Sequence, residues 1–161
     1  MKKKFNWGII GTGGIAGKFA NDLSYLNDHT VAAVGSRKLS TAQQFASKYP
    51  NCVGYPSYSK LVEDPSLDGI YIATPNNFHL EHTILALEAN KPVLCEKPFA
   101  INSNEVEIMV NMATQKQLTL IEAMWTRFLP HIEIVRNIIN SKVLGDIHTL
   151  QVDHGQRLTD S

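Results

Sequence analysis

Trp7-Gly8-Ile9-Ile10-Gly11-Thr12-Gly13-Gly14-Ile15-Ala16-Gly17-Lys18-Phe19 is the stretch that decides the fold. An apolar run leads straight into glycines, and a helical pattern follows: strand, tight turn, helix. The spacing G-x-G-x-x-A over residues 11–16 is the Rossmann phosphate-binding fingerprint with alanine at its third position. Gly11 allows the turn out of the strand. Gly13 lets the backbone approach a pyrophosphate, and Ala16 lets the helix pack closely on the sheet. The open N–H groups and positive dipole end of that helix then face the anion.

Strand and helix alternate downstream, which predicts an α/β fold with a Rossmann-type, doubly wound parallel sheet. Strands are expected at 5–10, 29–36, 51–55, 69–73, 91–95 and 118–122, and helices at 14–26, 40–49, 57–62, 77–89 and 103–115. The expected inward faces are Ile15, Phe19, Leu23 and Leu26 on the first helix, Phe78, Leu85 and Ala89 on the fourth, and Val106, Met109, Val110 and Ala113 on the fifth. Ser40 and Ser103 are the expected N-caps, and Asn76 and Asn77 bring capping chemistry to the fourth helix. After Ala123 the pattern changes. Met124 to Pro130 is aromatic and irregular, Pro130 opens a helix to about residue 140, and 147–154 alternates as a half-exposed antiparallel strand does. The expected domains are a dinucleotide-binding domain over 1–123 and, over 124–161, the truncated beginning of a second, α+β domain for substrate and dimerisation.

The 161 residues suffice for one domain with a core, and 43% hydrophobic with 19% charged residues is an ordinary soluble composition. A formal net charge of zero argues against nucleic acid and anionic membrane as partners. No apolar run reaches the length of a membrane span. Cys52 and Cys95 sit in apolar contexts and read as buried free thiols, with the reducing cytoplasm as the expected location. No cluster of cysteine and histidine has metal-ligand spacing; His79 and His82 share a helix face without a third ligand, so no metal site is expected.

In an open parallel sheet, ligands bind beyond the carboxyl ends of the strands. At the second strand end NAD sites carry an acidic residue for the ribose 2′-OH, whereas here Ser36-Arg37-Lys38 offers a hydroxyl and two cations. That set suits a 2′-phosphate and favours NADP over NAD; the competing reading is two solvated loop charges. Lys97, between Glu96 and Pro98 at the fifth strand end, becomes an acid/base if burial lowers its pKa; the bland reading is a surface lysine in a turn. His79 either contacts nicotinamide or caps its helix.

These residues together resemble the Gfo/Idh/MocA oxidoreductases. The resemblance is carried by G-T-G-G-I-A at 11–16, A-T-P-N-N-F-H at 73–79 and A-N-K-P-V-L-C-E-K-P at 89–98. E-A-M-W-T-R-F-L-P at 122–130 and L-G-D-I-H-T-L-Q-V-D-H-G at 144–155 look like the subgroup of trans-dihydrodiol dehydrogenases and NADP-dependent xylose dehydrogenases. The likeness spans essentially the whole chain and about the first half of a typical member. It implies that Gly11, Thr12, Gly13, Gly14, Ile15 and Ala16 hold the pyrophosphate and that Ser36, Arg37 and Lys38 hold the 2′-phosphate. It implies that Thr74, Asn76 and His79 line the cofactor, that Glu96 and Lys97 lie at the nicotinamide with Lys97 as the catalytic lysine, and that Trp125 and Arg127 border the substrate cleft. A cis Lys97–Pro98 bond is also implied. The implied activity is hydride transfer between nicotinamide and a secondary alcohol of a sugar, polyol or cyclic diol, in a homo-oligomer. Members take a further acid/base residue from the second domain, so this chain alone is expected to be inactive. The alternative from another class is an NADP-binding regulatory module without turnover. Lys97 within E-K-P favours the enzyme, and the separate strand-end motifs argue against a methyltransferase.

Overall fold

A computed structural model describes residues 4–153 and 155. Strands β1 (Phe5–Ile10), β2 (His29–Gly35), β3 (Val53–Tyr55), β4 (Gly69–Ile72), β5 (Val93–Cys95) and β6 (Leu120–Glu122) form one sheet in the order β3-β2-β1-β4-β5-β6. Every pairing is parallel. This is the doubly wound Rossmann order, which reverses direction between β1 and β4.

The sheet is covered on both faces, and single-residue alternation along the strands assigns each face its core. Ile10, Ala33, Ile70, Ile72, Val93 and Cys95 pack with helices α3 (Tyr58–Val62), α4 (His79–Glu88) and α5 (Ser103–Gln115). Ile9, Val34, Tyr71 and Ala73 pack with α1 (Gly14–Leu23) and α2 (Leu39–Ala46). Ile9 and Ile10, or Ile70 and Tyr71, are chain neighbours pointing to opposite cores.

Several expected faces are rotated. On α1 the buried residues are Ala16, Ala20 and Leu23, while Ile15 is 43% and Leu26 48% exposed. A helix that must approach the sheet closely buries alanine, so bulk alone is a poor guide to its inner face. On α4 the buried set is His79, His82, Thr83, Ala86 and Leu87, with Phe78 exposed and Leu85 only partly covered. On α5 Met109 and Ala113 are buried but Val110 is exposed. Both serines expected as caps lie inside their helices: α2 begins after Lys38, and Asn102, not Ser103, caps α5 by accepting the Glu105 N–H at 3.0 Å. Cys95 is buried as expected, Cys52 only partly, and both are free.

The chain divides into two compact units, Met1–Met124 and Trp125–Ser161. In the second, a 3-10 turn at Trp125–Phe128 precedes α6 (Pro130–Asn140), which has proline in its first turn. Residues 147–153 form no strand, and His154 lies outside the described residues. Alternation specifies which side faces a core, but a strand exists only by hydrogen bonds to a neighbour. Among the described residues none pairs with this segment.

Two glycines of the first turn differ in what they protect. Gly11 has φ +106°, and a Cβ there would stand 2.9 Å from the Ala73 carbonyl oxygen. Gly13 has φ −74°, with nothing within 4 Å of a Cβ. Gly11→Ala should therefore lower unfolding stability by about 1–3 kcal/mol, whereas Gly13→Ala should cost less than about 1 kcal/mol. Urea denaturation of the two variants checks this; equal losses would contradict it.

Candidate functional site

Register brings the candidate residues together. Tyr55, Gly35, Ile10, Ile72, Cys95 and Glu122 form one row across the sheet. The residues one step further are Ser36, Gly11, Ala73, Glu96 and Ala123. Their N–H groups still donate to the row behind: Gly11 to Gly35, Ser36 to Tyr55, Ala73 to Ile10, Glu96 to Ile72 and Ala123 to Cys95, at 2.7–3.2 Å. Five loops thus leave the sheet along one edge, at one level.

At the β1 end, Gly13 is the N-cap of α1 and its side makes no cap hydrogen bond. Gly13, Gly14 and Ile15 are exposed, Thr12 half-buried and Ala16 fully buried in the core. No side chain caps the first-turn N–H groups of α1, and the space a Cβ would take at Gly13 is open. At the β2 end, Ser36 is buried while Arg37 and Lys38 are exposed. Lys38 is the N-cap of α2, again with no side-chain cap. By contrast α3 and α5, which start at the same edge, are capped by Ser57 and Asn102.

At the β4 end, two buried histidines hold the loop. His79 is only 1% exposed; its Nε2 lies 2.9 Å from the Thr74 carbonyl oxygen and its Nδ1 2.8 Å from that of Pro98. His82 Nδ1 is 2.9 Å from Thr74 Oγ1, with its ring between Tyr58 and Phe78. His79 therefore ties the Thr74 loop to the Pro98 turn instead of offering its ring nitrogens to the surface. Asn76 is exposed in a 3-10 turn, Asn76–Phe78, and neither it nor Asn77 caps α4.

At the β5 end, Glu96 is 8% exposed and both of its oxygens are engaged. Oε1 accepts the Tyr71 hydroxyl at 2.6 Å and Oε2 the Lys97 N–H at 3.1 Å. Burial, then this carboxylate, pushes the Tyr71 phenol far up, so it stays a donor. The Lys97–Pro98 peptide bond is cis. The Lys97 side chain is exposed, as the reading of a surface lysine in a turn has it, because its turn steps off the ladder beyond the covered faces. The Phe99 N–H donates to Glu122 Oε1 at 2.9 Å.

Sequence reasoning gives Tyr71 no role at the site, weighs His82 only as a metal ligand, and places Glu122 at the sixth strand end without a partner. Tyr71 carried a usable signal: a hydroxyl inside the continuous apolar run Ile70-Tyr71-Ile72 needs a buried partner. Trp125 and Arg127 belong to the second unit, where the Arg127 carbonyl accepts from Arg136 at 3.3 Å. Among the described residues no group of three His, Cys, Asp or Glu side chains could hold a metal, and no helix is long and apolar enough to cross a membrane.

Comparison with known proteins gives concordant findings. The Gfo/Idh/MocA family model, an oxidoreductase family with an NAD-binding Rossmann fold, matches residues 5–124. Trans-1,2-dihydrobenzene-1,2-diol dehydrogenase of Sus scrofa is 39% identical over 156 residues, 96% of this chain and 47% of that protein. The Homo sapiens protein of the same name is 40% identical over 154 residues, 94% of this chain and 46% of its own length. The chain thus spans about half the length of these relatives. A 3-ketoreductase from Actinomadura kijaniata, solved with TDP-benzene and NADP, superposes with TM-score 0.82 at 27% identity, over 90% of this chain and 46% of that one. An NAD-binding oxidoreductase from Klebsiella pneumoniae superposes with TM-score 0.80 at 25% identity, over 86% of this chain and 39% of that one.

The His82 contact generates a pH prediction. Burial lowers the His82 pKa; Glu81 opposes the shift and His79 adds to it. The unfolded chain then binds a proton on this residue at higher pH than the folded chain. The stability contributed by neutral His82 is complete above about pH 6.5 and is lost as pH falls through that value toward the lowered folded one. Urea midpoints of His82→Gln should fall less steeply with acid than those of the parent, and parallel curves would contradict it.

Proposed function

The chain belongs to the Gfo/Idh/MocA oxidoreductase family, and we propose that it forms the cofactor-binding part of an NADP-dependent dehydrogenase acting on a secondary alcohol of a sugar, polyol or cyclic diol. The observation that carries the reading is the open glycine turn at the start of α1, with nothing within 4 Å of a Cβ at Gly13, next to the start of α2 where Arg37 and Lys38 are exposed, on the edge that also carries the Lys97 turn. Two anion-ready termini at adjacent strand ends suit a ligand with a pyrophosphate and a second phosphate. Gly11, Thr12, Gly13, Gly14, Ile15 and Ala16 would hold the first. Ser36, Arg37 and Lys38 would hold the second, which is the reason to favour NADP over NAD. Thr74, Asn76 and Glu96 would flank the ribose and nicotinamide, with His79 behind them.

When bound, the nicotinamide supplies the hydride-transfer chemistry. Lys97 Nζ would hold the substrate hydroxyl and take part in moving its proton as the alcohol becomes a carbonyl. Because Lys97 is exposed here, its desolvation has to come from bound cofactor and substrate. Trp125 and Arg127 would border the substrate as part of a second, substrate-binding domain over residues 124–161. Assembly as a homo-oligomer and a cytoplasmic setting, consistent with free Cys52 and Cys95, complete the proposal. The exposure of Lys97 also supports a second reading, an NADP-binding regulatory module without turnover.

Two experiments separate these. Arg37→Ala should weaken NADPH binding by about tenfold or more and leave NADH within about twofold by calorimetry; equal losses would remove the 2′-phosphate assignment. In a form that carries the proposed substrate domain, Lys97→Ala should cut kcat by about 10²–10⁴-fold with NADPH affinity retained. Unchanged turnover would contradict the role of Lys97, and a parent that binds NADPH but turns over no aldose, inositol or cyclic diol would favour the regulatory reading.

A further inference from the structure

The residues that carry Lys97 leave the sheet, so their main-chain groups need partners the ladder does not supply. Glu96 N–H still donates to Ile72 O at 3.0 Å. Beyond it, Lys97 N–H is taken by the neighbouring Glu96 carboxylate, Pro98 has no N–H, and Phe99 N–H is taken by Glu122. The first of these contacts is local. The second spans 23 residues and comes from the last row of β6. Phe99 is held on its other side too: its carbonyl accepts from Cys95 Sγ at 3.8 Å, a thiol that burial, above all, pushes up to about 12.

We propose that Glu122 is a positioning residue for the site: by accepting the Phe99 N–H it fixes the turn 96–99, and so the direction in which Lys97 leaves the sheet edge. A carboxylate is suited to this. What the brace needs is a side-chain acceptor oxygen carried on a strand, which an amide oxygen also supplies. Glu122 is itself held in place: its main chain sits in the β6 ladder opposite Cys95, and its carbonyl accepts the Met124 N–H at 2.8 Å. The brace therefore connects a rigid strand to the far side of the Lys97 turn, while His79 grips the same turn at the Pro98 carbonyl. Glu122 makes no hydrogen bond or ion pair with the Lys97 side chain among the described residues, and its hydrogen bond is to the backbone of the turn at Phe99.

The inference rests on the reading of Lys97 as facing a bound nicotinamide cofactor, and its test separates the two. NADPH is the probe. Parent, E122A and E122Q proteins are compared by hydrogen exchange at the Phe99 amide, by NADPH affinity, and by the degree to which NADPH protects Lys97 from acetic anhydride. In E122A the Phe99 amide should exchange at least tenfold faster, and NADPH protection of Lys97 should fall at least threefold while NADPH affinity stays within twofold. E122Q, which keeps an acceptor oxygen, should resemble the parent in both. In a form that carries the proposed substrate domain, E122A should lower kcat about tenfold with little change in KM for NADP. Unchanged Phe99 exchange in E122A would remove the brace. Faster exchange with unaltered protection of Lys97 would leave Glu122 merely structural and overturn the inference. A parent in which NADPH binds without protecting Lys97 would instead overturn the functional reading itself.

Discussion

A parallel ladder whose strands end on one row is the constraint on which the rest of this structure depends. The row Tyr55, Gly35, Ile10, Ile72, Cys95, Glu122 sets a common level. The candidate residues then lie within about one to seven residues beyond it. Because each crossing helix must return the chain to the amino end, every βα loop emerges at that edge. Glycine turn, cationic loop and lysine turn are far apart in sequence and become neighbours through hydrogen-bond register alone. Gly11 is the point where this geometry is least forgiving, since its positive φ and the nearby Ala73 carbonyl exclude a side chain.

The edge is stiffened from beneath by polar groups in apolar surroundings. Tyr71 reaches through the core from β4 to the Glu96 carboxylate. Phe19 of α1 stacks on its ring, with centroids 3.8 Å apart, so the glycine-turn helix packs on the same side chain that anchors the lysine turn. His79 joins the Thr74 loop to Pro98, and His82 holds the Thr74 hydroxyl. Such buried contacts are costly when half-made and rigidifying when complete. The residues exposed at the edge are by contrast Gly13, Arg37, Lys38 and Lys97.

The sequence was most legible where one residue type had one physical use. Apolar runs ending in glycine or Thr-Pro placed the strands to within a few residues, and Gly11 and Ala16 play the parts their types suggested. Inner helix faces were less legible: a close helix buries Ala16 and Ala20 and leaves Ile15 in water, so ranking by bulk misplaces the face. Caps were misread because serine competes with its neighbours for the role, and Lys38 and Asn102 start the helices instead. The segment 147–153 shows a further limit, since its alternation predicted a strand but a ladder needs a second strand. The chemistry of the site was legible by residue type and not by partner. Glu96 and His79 read as cofactor-lining residues in a linear reading, and only the folded chain reveals that they also bond Tyr71, Lys97 N–H, Thr74 and Pro98. Those partners lie up to 25 residues away and no local pattern announces them.

The central claim is that the carboxyl edge of the sheet, from the glycine turn to Lys97, is one continuous surface for a nicotinamide dinucleotide phosphate. A cleft at the opposite edge, lined by Leu23, His29, Thr30 and Tyr49, provides the natural contrast. The most direct measurement is an amide chemical-shift map of the chain titrated with NADPH. The account predicts saturable shifts at residues 11–16, 36–38, 74–76 and 96–99, with His29, Thr30 and Tyr49 unmoved. Shifts confined to the opposite edge, or the absence of saturable shifts at any of the four segments, would contradict it.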